Sequence, residues 1–115
     1  PSWYDKAAFY ERTNQIENVV ADIKEYRARQ EDDKADAYED SNIEVLDMVK
    51  PMKAAKKAMR KLKKARGEIE LQRDIGEMTA EEAAAEIAFL KEEEKLIIEE
   101  FNADYIATVA KPKRP

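Results

Sequence analysis

The feature that most constrains this chain is how seldom it can turn. Two glycines, Gly67 and Gly76, and four prolines are spread over 115 residues, and a sheet fold needs turn residues far more often than that. The segments between them are rich in Ala, Glu and Lys, whose side chains lose little rotamer freedom in a helix. The fold class that follows is all-α. Charged residues make up 41% of the chain against a usual share of about 25%, so a modest core must be shared among helices with charged outer faces. The length fits one domain over residues 1–110. Lys111-Pro112-Lys113-Arg114-Pro115 cannot propagate a helix and is expected to be a disordered tail.

Apolar spacing then places three long helices. Phe9, Ile16, Val19, Val20, Ile23 and Tyr26 recur at steps of three, four or seven, one stripe of a 3.6-residue period. A helix over about 3–29 is expected, with Ser2 as its N-cap. Glu31 to Asp40 is short and acidic; Asp32 or Asp33 is expected to start a brief helix ending near Tyr38, and Ser41-Asn42 a further one. From Ile43 the apolar positions Leu46, Val49, Met52, Ala55, Met59, Leu62 and Ile69 sustain a helix to about residue 75. Pro51 lies within it and predicts a kink in a continuous helix. The alternative is a short helix ending near Val49 and a long one with Pro51 in its first turn, where proline is tolerated.

Gly76 is the natural left-handed C-terminal cap of that helix. Thr79 with Glu82 three residues on reads as a capping box, and a last helix follows over 80–109, burying Ile87, Leu90, Ile97, Ile98, Phe101 and Tyr105. The short connection makes the two flanking helices antiparallel neighbours, residue numbers summing to about 155 facing each other. The architecture expected is a coiled-coil-like antiparallel hairpin with the N-terminal helix alongside, a three-helix bundle. Lys50 to Arg66 carries nine basic residues and no acidic one, and the opposing stretch holds Glu92, Glu93, Glu94, Glu99, Glu100 and Asp104. Charge attraction across the hairpin is therefore expected as well.

The residue types exclude most chemistry. General acid–base and nucleophilic sites lean on His, Cys or an activated Ser; His and Cys are absent and both serines sit at expected caps. No glycine-rich phosphate loop occurs. No enzymatic activity, cofactor, small-molecule ligand or metal site is expected: bundle metal sites want Glu-x-x-His, and Glu92-Glu93-Glu94 reads as a solvated acidic face. Apolar stretches fall far short of the roughly 18 residues that span a bilayer, and the facing side of Ile97-Ile98-Phe101 is acidic where interfacial helices are basic. No secretory signal pattern opens the chain. Lacking an initiator methionine, the sequence reads as the end of a longer polypeptide or a processed product.

Two groups of residues remain as candidates for interaction. Lys53, Lys56, Lys57, Arg60, Lys61 and Lys64 lie in a basic run about 25 Å long on a helix, long enough to neutralise several phosphates. The net charge of −5 and the lack of interleaved aromatics favour a solvated or internally paired face over nucleic-acid contact. Trp3, Tyr4, Phe9 and Tyr10 cluster near the N-terminus, either as packing at one end of the bundle or as a contact with a neighbouring subunit or domain, where aromatics concentrate binding energy.

The order of these features resembles the C-terminal helical domain of large polyproteins of tailed bacteriophages and related mobile elements, including the internal virion, or ejection, proteins of short-tailed phages. The resemblance rests on Phe9-Tyr10-Glu11 in the opening helix and on Met78-Thr79-Ala80-Glu81-Glu82 before the last one. It implies a segment of a virion protein, made in the bacterial cytoplasm, that travels with the genome, assembles with sister copies or other virion proteins and helps build a conduit for DNA. It implies no catalytic residue. A free-standing helical adaptor and a nucleic-acid-binding module are the other readings.

Overall fold

The computed structural model describes residues 5–109. They form five helices in chain order: α1 (Lys6–Ala28), α2 (Asp32–Ser41), α3 (Ile43–Leu46), α4 (Val49–Asp74) and α5 (Ala80–Thr108). The fold is all-α. Helices α4 and α5 make an antiparallel hairpin, and α1 lies along one half of it, antiparallel to α4 and parallel to α5. Contacts fix those directions: Lys6 reaches Glu94 and Gln15 reaches Tyr105, whereas Glu17 meets Lys56.

The expected register of the hairpin holds. Pro51, Ala54 and Ala58 line one shallow groove together with Asp104, Phe101 and Ile97, partners placed symmetrically about the bend. The bend is built as its sequence requires. Gly76 takes φ +81°; its N–H donates to the Arg73 carbonyl, and the Glu77 N–H donates to the Gln72 carbonyl at 2.9 Å. These two bonds satisfy carbonyls that the helix end would otherwise leave free. Thr79 then caps α5, its Oγ1 accepting from the Glu82 N–H at 3.0 Å. The return bond runs from the Thr79 hydroxyl to the Glu82 carboxylate at 3.1 Å, rather than from the backbone N–H of a full capping box.

Several local expectations need correction. Helix α1 begins at Lys6, not Trp3, because the Asp5 carboxylate accepts from the Ala8 N–H at 2.9 Å and caps it; Ser2, Trp3, Tyr4 and the 111–115 tail lie outside the described residues. The acidic connector is a ten-residue helix, α2, folded back on α1. Ala35 is fully buried, Tyr38 packs edge-on against Tyr26 at 5.9 Å, and Arg27 bridges Asp36 and Glu39. Ser41 ends α2, and Asn42 is both its C-cap and the N-cap of α3, but neither side chain caps α3: they donate back to the carbonyls of Ala37 and Tyr38.

The kinked continuous helix is also overturned. The helix breaks at Asp47–Met48, and Pro51 is the third residue of α4, where its missing N–H is one of the four that have no partner in any helix. The break rotates the chain so that Met48, at 1% exposure, is buried at the corner, while Ile43, counted above on the apolar stripe, is left 55% exposed.

The core is gathered where α1 meets the hairpin. Phe9, Ile16, Met48, Met52, Ala55, Ile98, Phe101 and Tyr105 form one buried cluster. Towards the bend, α4 and α5 have only each other, with Ala83 fully buried between them. The molecule is correspondingly long: its radius of gyration is 18.9 Å and its extents are 60 × 35 × 17 Å, whereas a compact chain of about 100 residues has a radius near 13 Å.

Two substitutions at glycine-sensitive positions test this backbone account. Gln30 ends α1 at φ +61°, a conformation that costs a side-chain-bearing residue roughly 1–2 kcal/mol. Gln30→Gly is expected to raise the unfolding free energy by about 0.5–1 kcal/mol once the flexibility of glycine in the unfolded chain is subtracted. Gly67 lies inside α4, and a Cβ added there would meet nothing within 4 Å, so Gly67→Ala is expected to stabilise by about 0.5–1 kcal/mol. Thermal melts of both variants check this; a lowered melting point in either one contradicts the geometry described.

Candidate functional site

Burial on α4 separates a packing face from a cationic face. Met52 and Ala55 are buried and Met59 and Leu62 are half-buried, whereas Lys53, Lys57, Arg60, Lys61 and Lys64 are exposed. At 100° per residue the stripe of Lys53, Lys57, Arg60 and Lys64 stays within about 40° of one line, turned away from the residues that meet α5. The expected charge pairing across the hairpin is therefore not made: among the described residues no ion pair joins the basic run to α5. The antiparallel register brings the two helices' residues level, but helix rotation decides which side chains face each other, and apolar burial sets that rotation.

What the cationic residues line instead is a groove between α1 and α4, about 630 Å³ in volume. Val20, Val49 and Met52 contribute its apolar part, and Lys24, Lys53, Lys57 and Arg60 stand at its sides. Lys56 is half-exposed and bonds Glu17 of α1 at 2.7 Å, a surface pair worth no more than about 1 kcal/mol. Lys53, Lys57, Arg60, Lys61 and Lys64 make no ion pair among the described residues. A second groove of about 510 Å³ opens nearer the start of α1, where Arg60, Lys63 and Arg66 overhang Met59, Leu62 and Leu90. Lys61 and Lys64 border neither.

The aromatic candidates divide. Phe9 is a core residue at 1% exposure, its ring edge-on to Phe101 at 5.1 Å, so bundle packing is its role. Tyr10 stays 53% exposed on the rim of the second groove, with its ring edge-on to Phe9 at 5.4 Å.

The sequence reading passed over three features of this region. Asn102 is buried at 1% exposure and its Nδ2 donates to the Asp5 carbonyl at 3.2 Å, tying the start of α1 to α5. Thr13 is buried and donates to the Tyr10 carbonyl. The outer face of α5 carries Phe89 and Leu96, 64% and 59% exposed, seven residues apart. Their spacing was legible, but buried Ile98 and Phe101 drew the stripe to the opposite side.

Among the described residues no cluster of His, Cys, Asp or Glu is arranged to hold a metal ion, and no helix is long and apolar enough to cross a membrane. Comparison with protein-family models, with curated proteins and with solved structures returns no match to this chain.

Tyr105 provides a titration marker for the seat of α1. Its hydroxyl donates to Gln15 Oε1 at 3.0 Å, and the Arg12 guanidinium lies 5.3 Å from its ring centre. Burial raises its pKa above the usual 10.0; Arg12 opposes the shift and Glu11 adds to it. Burial likewise raises Tyr38, with help from the Asp22 carboxylate. The folded form thus holds the neutral phenol longer than the unfolded chain does. That contribution to stability is complete below about pH 10 and is lost as pH climbs through the raised folded-state value. Absorbance titration should show late-ionising tyrosine, with one late component removed by Tyr105→Phe; an unchanged curve would place that ring in water.

Proposed function

We propose that this chain is a structural assembly module without catalytic function of its own, and that its surfaces are made to be covered by other protein. The observation that supports the reading most is where apolar surface is left. Leu71 and Ile75 at the end of α4 and Phe89 and Leu96 on α5 are each more than half exposed, on a hairpin that reaches past the three-helix core. Scattered exposed apolar residues are ordinary on a protein surface. Four large ones on the hairpin of an otherwise highly charged chain fit surface that another chain completes.

The more specific reading is a segment of a phage internal virion protein, assembling with sister copies or other ejection proteins in the particle to build the DNA-delivery conduit. Its support is the resemblance carried by Phe9-Tyr10-Glu11 and Met78 to Glu82. In the fold, Phe9 is the aromatic centre of the core, and Met78 to Glu82 make the hairpin bend and the cap of α5. Phe9 of the first motif and the second motif thus occupy positions that specify the architecture, as recurring elements of a structural domain would. The second reading, a monomeric helical adaptor, draws on the same surfaces with a different partner.

Light scattering with thermal melting over a range of protein concentrations separates the two. An assembly module is expected to give a mass above one chain and a melting temperature that climbs with concentration, because association stabilises by mass action. A monomer with a concentration-independent melt would favour the adaptor.

A further inference from the structure

The charged stripes on the two arms of the hairpin point apart, and each lacks what the other offers. On α5, Phe89, Leu96 and Ala103 recur every seven residues, with Glu86, Glu93 and Glu100 at the same interval beside them. All six lie within about 60° of one line on the helix. Glu86, Glu93 and Glu100 make no ion pair among the described residues. On α4, Lys50, Lys57 and Lys64 also recur every seven residues, as do Lys53 and Arg60, and the last two flank the apolar surface of Val20, Val49 and Met52 in the groove beside α1. Seven residues of helix advance about 10.5 Å, so the carboxylates and the cations share one repeat distance.

We propose that the outer face of α5 of one copy docks in the α1–α4 groove of a second copy. Leu96 or Phe89 enters the apolar surface, and Glu93 and Glu100 meet Lys53, Lys57 and Arg60 at its side. An apolar seam flanked by opposite charges in a seven-residue repeat is how paired helices choose partner and orientation. A nucleic acid would use the cations but not the apolar surface between them, nor the acidic-apolar stripe opposite. Within one chain the two surfaces lie on different sides of the bundle and cannot meet, so a second copy satisfies both. The inference rests on the assembly reading above and names its interface; it does not depend on placement in a virion.

The test is a charge-reversal pair in the full chain. One variant carries Lys53→Glu, Lys57→Glu and Arg60→Glu, the other Glu86→Lys, Glu93→Lys and Glu100→Lys. None of these six side chains belongs to the core cluster, and helicity confirms that each variant folds. Each alone is expected to self-associate at least about tenfold more weakly than the wild type, because like charges then face each other. An equimolar mixture should recover the wild-type mass, since every contact regains an opposite partner. Wild-type association should weaken as salt rises. If both variants associate as the wild type does, this interface is wrong while the assembly reading stands. A wild type that remains monomeric throughout the concentration range overturns both. Tight binding of a single-stranded oligonucleotide by a monomeric wild type, lost in the first variant alone, would replace the inference with a polyanion site.

Discussion

The edge-on contact of Phe9 with Phe101 is where the three long helices become one body. Phe9 sits one turn into α1, and Phe101 lies on the part of α5 that faces Met52 and Ala55 of α4. Removing a buried phenylalanine from such a cluster costs about 3–5 kcal/mol, a large share of what a domain of this size holds in reserve. The polar ties around it, Asn102 to the Asp5 carbonyl and Tyr105 to Gln15, fix where α1 lies on the hairpin. Each is worth only about 1 kcal/mol, so they position what the aromatic pair holds. The groove exists because of that placement: α1 leans on α5 and leaves its α4 side open, lined by valine, methionine and lysine.

How much of this was legible in the sequence depended on how local each cause is. Gly76 and Thr79 act through bonds within a few residues of themselves, and the bend they predict is the bend that forms. The all-α class and the hairpin register came through for the same reason. Gln30 carries no such signal. Its left-handed backbone is imposed by α2 packing back on α1 through Ala35 and Tyr38, and a side chain with no preference for that conformation is carried along. Pro51 allowed two outcomes, a kink or a restart, and the choice fell to Met48, whose burial needs the chain to turn at Asp47. A one-dimensional pattern of apolar residues contains no term for that.

The charge pairing expected of the basic run was read with the wrong neighbours. Lys53, Lys57 and Arg60 do form a cationic surface, but the α5 carboxylates that stand level with it face elsewhere. Antiparallel order in sequence brings opposite charges level along the axis; it leaves rotation about the axis free, and the burial of Ile98 and Phe101 fixes that rotation. Phe9 and Tyr10 show the same limit at one-residue scale. They are adjacent, aromatic and on one helix, yet one is core and the other is mostly in water, because about 100° of helix separates them.

The bonds that seat α1 close very long loops: the Asp5–Asn102 and Gln15–Tyr105 partners are 97 and 90 residues apart in sequence. Helices α4 and α5 meet across a bend of a few residues. Loop-closure entropy grows with the span that must be brought together, and local contacts form fastest. The hairpin is thus the part of this chain that organises itself early, and α1 with α2 is a separate arm that arrives afterwards. If the folded molecule opened in the same order, α1 and α2 would lift together, as cooperative segments do, from a hairpin still closed beneath them. Lifting them would bare Phe101, Met52 and Tyr105 together, turning the core of one molecule into a surface that the arm of another could fill.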